Sequence, residues 1–183
     1  IRRSATAITI QRPDLSVPTV TLPAAVSGAQ SFDINYTIQN NGPGAVFSSQ
    51  RKDRIYISSS PVFDGSAVAV DTVDFAENIA NAGTVTHTVS YIFPAGTSGT
   101  RYVYVQANMD SLFKENNYNN NISAGIAIAV SAATPADLVI NNLQVPDSFY
   151  SHRNNTIRYS IANNGPATAS GIWLDSIWIS CSN

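Results

Sequence analysis

Residues 34–43 read INYTIQNNGP and residues 157–166 read IRYSIANNGP, so one strand-and-turn pattern occurs twice in this 183-residue chain. The second stretch begins 123 positions after the first, at residue 157 against residue 34. Asp14-Leu15 returns at the same offset as Asp137-Leu138, and DRIYIS at residues 53–58 returns as DSIWIS at residues 175–180, one position short of it. Ordered self-similarity over a fixed period indicates tandem repeats of one domain type.

The repeat sets the predicted domain boundaries, because a period of about 120 residues is an ordinary size for one domain. Residues 13–131 are expected to form a complete unit, residues 132–136 a linker, and residues 137–183 the N-terminal part of a second unit. That part holds counterparts of only the first three strands, and half a sandwich leaves an apolar face and unpaired edges uncovered. We therefore expect residues beyond this sequence, or another chain, to complete it.

Residues 1–12 have two interpretations. Residues 6–10 (TAITI) precede Pro13 much as residues 127–130 (AIAV) precede Pro135, which predicts the end strand of an upstream unit. The alternative is a linker, a disordered tail or a leading strand of the first complete unit. The chain begins without Met and shows no signal peptide, so we expect it to be processed or to come from the interior of a longer protein.

Apolar and polar residues alternate along most of the chain, which is the period of half-buried strands. In residues 31–39 the side chains of Phe32, Ile34, Tyr36 and Ile38 share one face. Turn signals such as the NGPG sequence at residues 41–44 separate the strands. About seven strands spaced in this way predict an all-β chain: an immunoglobulin-like antiparallel β-sandwich, in tandem, with the second copy truncated. The other predicted strands contain residues 15–22, 55–57, 84–93, 101–107 and 122–130.

Composition excludes several classes of function. The net charge of −2 gives no electrostatic reason to expect nucleic acid or an anionic membrane as partner. No apolar run is long enough to span a bilayer. Cys181 is the one cysteine, so a disulfide framework or a cysteine-based metal site is not expected.

The ordered set of motifs resembles the CARDB family, the cell-adhesion-related domain of bacteria. The resemblance covers residues 13–131 completely and residues 136–183 in part. It implies an immunoglobulin-like module of surface or secreted proteins of bacteria and archaea, usually repeated and usually without catalysis of its own. The motifs that carry it are Asp14-Leu15, YTIQNNG at residues 36–42, DRIYIS at 53–58, FPAG at 93–96, YVYV at 102–105, and the segment from Asp110 through residues 115–117 (ENN) to residues 119–120 (NN).

The richest polar segment runs from residue 110 to residue 121 and has two interpretations. Asp and Asn side chains bind nearby backbone N–H groups and tolerate left-handed conformations, so the segment is predicted to lock a strand crossing in one shape. The alternative is a calcium site with oxygen ligands from Asp110, Glu115 and Asn120. The segment lacks a regular D-x-D-x-D spacing. Four more carboxylates add ligands only if their loops converge: Asp53, Asp64, Asp71 and Asp74.

Three tyrosines, Tyr56, Tyr102 and Tyr104, fall on the polar side of two strands that are neighbours in an immunoglobulin topology. We expect them on one outer face of the sheet. A cross-strand aromatic ladder would stabilise that sheet by roughly 0.2–1 kcal/mol per pair. Tyr102 is alternatively a tyrosine corner. The functional interpretation is an aromatic platform that contacts sugar rings or a neighbouring module.

The sequence shows no clear motif of catalytic residues. His87 lies on the apolar side of its strand and is predicted to be a packed, hydrogen-bonded side chain, while His152 belongs to the other copy. The two histidines therefore cannot build a Ser-His-Asp set or a histidine-rich metal site. Glycosylation sequons begin at Asn35, Asn121 and Asn154, as chance matches in an Asn- and Thr-rich chain.

The sequence predicts a non-enzymatic, extracellular module of a larger bacterial surface or secreted protein, serving adhesion or surface binding. No cofactor is expected, except calcium under the second interpretation of residues 110–121. The expected partners are other repeats of the same chain, cell-surface glycans or other surface proteins. The alternatives are a structural spacer beside a catalytic or binding domain, and a subunit or cargo of a cell-surface assembly held through strand addition.

Overall fold

The computed structural model describes residues 9–47 and 51–180. The chain forms two compact units, Ile1–Ala133 and Thr134–Asn183. No helix occurs among the described residues, and the strands assemble into antiparallel sheets with one parallel edge. The end strand predicted within residues 1–12 lies mainly outside the described residues, and residues 9–10 are not part of a strand.

Eight strands build the described part of the first unit. They form a three-stranded sheet in the order β1-β3-β6 and a five-stranded sheet in the order β2-β8-β7-β4-β5. All neighbours pair antiparallel except β2 and β8, which pair parallel. This is the predicted all-β sandwich. The strands are β1 Leu15–Thr21, β2 Ala25–Ser27, β3 Ser31–Asn40, β4 Arg51–Ser58, β5 Val68–Phe75, β6 Thr84–Ile92, β7 Gly99–Gln106 and β8 Ile126–Ser131.

The core lies between the two sheets and follows the predicted alternation. In β3, Phe32, Ile34, Tyr36 and Ile38 are buried, while the residues between them are half-buried or exposed. Strands β4, β7 and β8 supply the opposite layer with Ile55, Val103, Val105 and Ile128. Because successive side chains of a strand point to opposite faces, this pattern fixes which face of each strand turns inward.

The repeated Asn-Asn-Gly-Pro sequence fastens the start of each unit. The Asn40 carboxamide oxygen accepts hydrogen bonds from the backbone N–H groups of Asp14 (3.1 Å) and Gly42 (3.0 Å), and its Nδ2 donates to the Gly44 carbonyl (2.8 Å). A Cβ on Gly42 would lie 2.5 Å from the Asp14 nitrogen, so only glycine lets the turn approach the entering chain so closely.

The second unit repeats this arrangement. Strands β9 Leu138–Gln144 and β10 Arg158–Asn163 pair antiparallel, with Leu138 opposite Asn163 as Leu15 is opposite Asn40. The Asn163 oxygen accepts from the Asp137 and Gly165 N–H groups, each at 3.0 Å. Residues 175–180, the counterpart of β4, form no strand. In the first unit β4 pairs with β5 and β7, and the described part of the second unit has no equivalent of either.

Candidate functional site

The predicted tyrosine face lies where β4 and β7 pair. Tyr56 is directly opposite Tyr104, and Tyr102 is opposite Ser58, so the expected neighbourhood of the two strands is confirmed. Tyr56 and Tyr102 are half-buried, and the Tyr56 hydroxyl donates to Gln106 Oε1 (2.9 Å). Tyr56 and Tyr104 thus form the cross-strand pair that a ladder requires.

A loop covers this pair and changes the prediction for Tyr104. Phe63 sets its ring edge-on to both tyrosines, with centroids 5.1 Å from Tyr56 and 5.3 Å from Tyr104. The Tyr104 hydroxyl donates to the Ser60 carbonyl (2.8 Å), and a Cβ on Gly125 would lie 2.7 Å from the Tyr104 ring. Tyr104 is therefore only 1% exposed, and burial raises the pKa of its hydroxyl. An open platform of three tyrosines is wrong because Phe63 takes the outer position.

The segment of residues 110–121 is held inward through Glu115. The buried Glu115 carboxylate accepts hydrogen bonds from the Leu15 backbone N–H and from the carboxamides of Asn108 and Asn121. Burial raises the pKa of Glu115, although these three donors act in the opposite direction. Asn108 has a left-handed φ of 47° and bonds both backbone groups of Phe113. The polar residues thus fix the crossing and tie it to the first strand.

The three candidate calcium ligands make different protein contacts. Glu115 accepts from the Leu15 N–H, and Asn120 donates from Nδ2 to Oδ1 of the neighbouring Asp14 (3.0 Å), while the buried Asn120 Oδ1 has no hydrogen-bond partner among the described residues. Asp110 is exposed and accepts from the Leu112 N–H in its own loop (3.3 Å). Within residues 9–47 and 51–180, no three His, Cys, Asp or Glu side chains group as a metal site. The contacts agree with the structural interpretation, and calcium stays a prediction.

The further carboxylates do not meet in converging loops either. Asp53 is buried in β4, and Asp71 and Asp74 belong to β5. Asp64 caps the turn before β5 through the N–H and hydroxyl of Ser66. Among the predicted sequons, Asn121 is buried and is therefore closed to modification in the folded unit.

Sequence reasoning missed a buried ionic cluster in the core. Arg51 binds Asp53 through two contacts of 2.9 Å, from Nε to Oδ1 and from Nη2 to Oδ2. Its Nη1 lies 2.9 Å from Glu77 Oε1, which is also 3.0 Å from His87 Nε2. Tyr36 completes the cluster by donating to Asp53 Oδ2 (3.4 Å). Such a bidentate arginine–carboxylate pair is the favourable geometry for buried charges.

Burial and neighbouring charges shift the pKa values of Tyr36 and Arg51 in this cluster. Burial raises the pKa of Tyr36, and the charge of Asp53 adds to the effect. Burial acts to lower the pKa of Arg51, but the hydrogen bonds and charges of Asp53 and Glu77 together outweigh it, so the pKa is raised and the guanidinium stays charged. His87 stacks on Phe75 with ring centroids 3.6 Å apart, which confirms it as a packed side chain.

The centre of the cluster is enclosed and holds strands together, while Glu77 and His87 at its edge are half-buried. Arg51 is 1% exposed and Asp53 is fully buried. The sequence contained a sign of this pair, because Arg51 and Asp53 have the same parity in β4 as the buried Ile55 and Ile57 and therefore share its inward face. Two opposite charges on an apolar face indicate a buried pair.

In the second unit, side chains line an open groove, and most of them are counterparts of core residues of the first unit. The lining of the groove includes Ile140, Phe149, Ile157, Tyr159 and Trp178. The Tyr159 hydroxyl donates to Asp175 Oδ2 (2.8 Å), which repeats the pair of Tyr36 and Asp53. No helix in the described part of the chain is long and apolar enough to cross a membrane.

Two solved domain structures are similar to this chain. The CARDB domain of a Pyrococcus furiosus protein, described in complex with di-metal ions, matches at 17% identity and a TM-score of 0.50, over 72% of this chain and 99% of that one. A domain from a candidate cell surface protein of Methanosarcina acetivorans matches at 20% identity and a TM-score of 0.48, over 66% and 93%. No curated protein matches the chain.

The family assignment rests on the sequence of the first unit. The CARDB family model matches residues 12–125, which is more than half of the chain. This range begins two positions before Asp14 and contains the Asn40 clamp, the ionic cluster and the Glu115 network. CARDB domains are a non-enzymatic domain family associated with cell surfaces, and this chain belongs to the CARDB family.

Proposed function

We propose that the chain is a non-catalytic, extracellular module of a larger surface or secreted protein, and that it serves adhesion or surface binding. One observation carries this proposal: the most deeply buried charged side chains of the first unit are engaged in contacts that hold its strands together. Asp53 binds Arg51 through two contacts, and the Glu115 carboxylate accepts hydrogen bonds from three protein donors. We therefore attribute the function of the unit to its outer surface, which is available for contact with a binding partner.

The aromatic cap of the β4–β7 face, defined as Phe63 with Tyr56 and Tyr102, is the contact surface that we favour. Phe63 is 39% exposed and rests on Tyr56, and Tyr102 is half-buried on the same side of the sheet. Rings that are anchored on one side and accessible on the other give contact area at a small cost in side-chain entropy. A sugar ring or an apolar patch of a neighbouring module fits such a surface.

Binding to glycans and to whole cells tests the proposal. The intact chain is expected to bind, and Phe63→Ala or Tyr102→Ala is expected to weaken binding several-fold without loss of the β-sheet circular dichroism signal. Leu112→Ala is the matched control, because Leu112 is an exposed apolar residue of a different loop. Equal affinity of all variants would contradict the aromatic cap as the contact surface.

The same binding measurements distinguish adhesion from two alternative functions. A structural spacer beside a catalytic or binding domain binds nothing, and deleting a unit changes only the length of the protein. A subunit or cargo of a surface assembly binds protein and not glycan. The aromatic cap favours adhesion over the spacer, since a spacer has no need for accessible rings.

A further inference from the structure

The sandwich of the first unit is open along one side, between strands β5 and β6. Among the described strands, β5 pairs with β4 alone and β6 with β3 alone, so each is the last strand of its sheet. A cleft of about 400 Å³ enters the molecule here. This volume falls within the range of roughly 300–1,000 Å³ that is typical of ligand pockets. All the residues that line the cleft belong to the first unit.

The floor of the cleft consists of inward-facing apolar side chains that are not fully covered. Val68 lies opposite Ile57 in the pairing of β5 with β4 and therefore shares its inward face, yet Val68 is 63% exposed and Ile57 only 9%. Tyr91 has the same parity in β6 as the buried Val89 and is half-buried. Its ring stands edge-on to that of Phe93, with centroids 5.2 Å apart. The cleft thus offers apolar surface together with one accessible aromatic ring.

One cation lines the cleft. Arg101 is the one charged side chain among the described residues of the lining. It has the same parity in β7 as the buried Val103 and Val105, and it is half-buried. Its Nη1 donates to the Thr100 carbonyl of its own strand (3.0 Å), and no carboxylate pairs with it in the described part of the chain. A guanidinium without a counter-ion has free donors for an anion.

Free hydroxyl groups surround the same space. Ser59, Tyr91 and Thr97 line the cleft, and the hydroxyl group of each has no hydrogen-bond partner within residues 9–47 and 51–180. Burial raises the pKa of Tyr91, so this hydroxyl stays a neutral donor. The carboxylate of Asp64, which lies on the loop between β4 and β5, is engaged by the N–H and hydroxyl of Ser66. The cleft therefore combines an apolar floor, free hydroxyls and one positive charge.

We propose that this cleft binds an acidic sugar, a ring with hydroxyl groups and one carboxylate. The Arg101 guanidinium binds the carboxylate through two N–H donors, the geometry that arginine forms with carboxylates. The hydroxyls of Ser59, Tyr91 and Thr97 bind the ring hydroxyls, and the apolar side of the ring packs against Val68. The inference names a ligand class for the proposed surface binding and rests on that function. Its site lies on the inward side of the sheet whose outward side carries the aromatic cap.

Titration of the intact chain with two acidic sugars, glucuronate and N-acetylneuraminate, tests the inference, with NMR of the arginine side-chain signals as the readout. We expect saturable binding of at least one of them, several-fold tighter than that of glucose, octanoate or inorganic phosphate. Octanoate bound as tightly would indicate a site for apolar acids, and phosphate bound as tightly a site for anions in general. Either result, or no binding of both sugars, overturns the inference.

Variants of the cation locate the site. Arg101→Met keeps the aliphatic stem over the core and removes the charge, so we expect acidic-sugar binding to fall about tenfold or more. Arg101→Lys keeps the charge without the paired donors and is expected to lose less, and Tyr91→Phe is expected to lose several-fold. Arg54→Met is the matched control, because Arg54 is a half-buried arginine on the outward side of β4, bonded to Thr72. Equal affinity of Arg101→Met and Arg54→Met overturns the inference, and Arg101→Lys carries the test if Arg101→Met loses the β-sheet circular dichroism signal.

Phe63→Ala separates this inference from the aromatic cap. We expect Phe63→Ala to weaken binding to cells, and to affect acidic-sugar binding much less than Arg101→Met does. The reverse order for the acidic sugars would place the acid on the cap and overturn the inference. Acidic-sugar binding that Arg101→Met abolishes, in a chain that does not bind cells, supports the inference and contradicts the proposed function.

Discussion

The two units of the chain share a hairpin and differ in burial. The pairing of Leu15 with Asn40 recurs as Leu138 with Asn163, and each asparagine fastens the backbone of the preceding Asp. In the first unit that hairpin is covered by later strands, and in the second it is exposed. The comparison teaches that turn chemistry and register are encoded locally, whereas burial depends on strands that follow more than forty positions later in the first unit, as β6 follows β3.

The largest expected effect comes from breaking the buried ion pair. Asp53→Ala leaves the Arg51 guanidinium buried without its bidentate partner, which we expect to lower the free energy of unfolding by about 3–5 kcal/mol. The matched change in the exposed counterpart, Asp175→Ala, is expected to have little effect. Calorimetry of both variants measures the difference. Equal losses would show that burial does not distinguish the two pairs.

The asparagine clamp gives the next effect. Asn40→Ala removes an acceptor from two backbone N–H groups and a donor to the Gly44 carbonyl, all in a buried site. Leaving buried polar groups unsatisfied costs about 1–3 kcal/mol. Asn163→Ala is the control, since Asn163 is exposed and water replaces its bonds. Denaturant unfolding is the measurement, and a larger loss for Asn163 than for Asn40 would contradict the comparison.

Glu115 is expected to impose a pH dependence on the stability of the first unit. Because burial raises its pKa in the folded state, the carboxyl favours folding below the ordinary value of about 4.5 and loses this contribution as pH rises through the raised pKa. The Glu115→Gln variant does not titrate. The free-energy difference between wild type and variant is therefore expected to shift against the wild type as pH rises from 4 toward 7, in denaturant titrations. A constant difference contradicts a raised pKa.

The smallest expected effect concerns calcium. The oxygens of Asp110 and Glu115 accept hydrogen bonds from protein donors, so we expect the Tm to be the same in excess calcium and in chelator. Differential scanning fluorimetry checks this. A rise in Tm with calcium that Glu115→Gln abolishes would restore the metal interpretation.

Sequence alone predicts the strands whose alternation is unbroken. Strand β3 keeps one parity over ten residues, so its inward face is evident. Strand β5 was missed because its apolar parity changes from Val68 and Val70 to Val73 and Phe75, where the pairing with β4 shifts register at Ile55 and Tyr56. A bulge of this kind moves later side chains to the opposite face.

The contacts of the candidate site were harder to predict, because they join segments that lie far apart in the sequence. Parity places Tyr104 outward, but the loop that carries Ser60 and Phe63 folds back over it. Likewise, the spacing of Asp110 and Glu115 does not reveal that Glu115 binds Leu15, 100 positions away. Long-range closure of this kind is decided by packing and leaves no local pattern.

The placement of the two ends of the first unit has a mechanical consequence. The chain enters the first unit beside Asn40, at the end of β3, and leaves it beside Phe93 and Ala95, near the start of β3. These points are separated by the length of β3, roughly 30 Å at about 3.4 Å per residue. Tension applied to the polypeptide therefore runs along the strands and loads the ladders of β1 with β3 and of β8 with β2 and β7 in shear, so that many hydrogen bonds share the force at once.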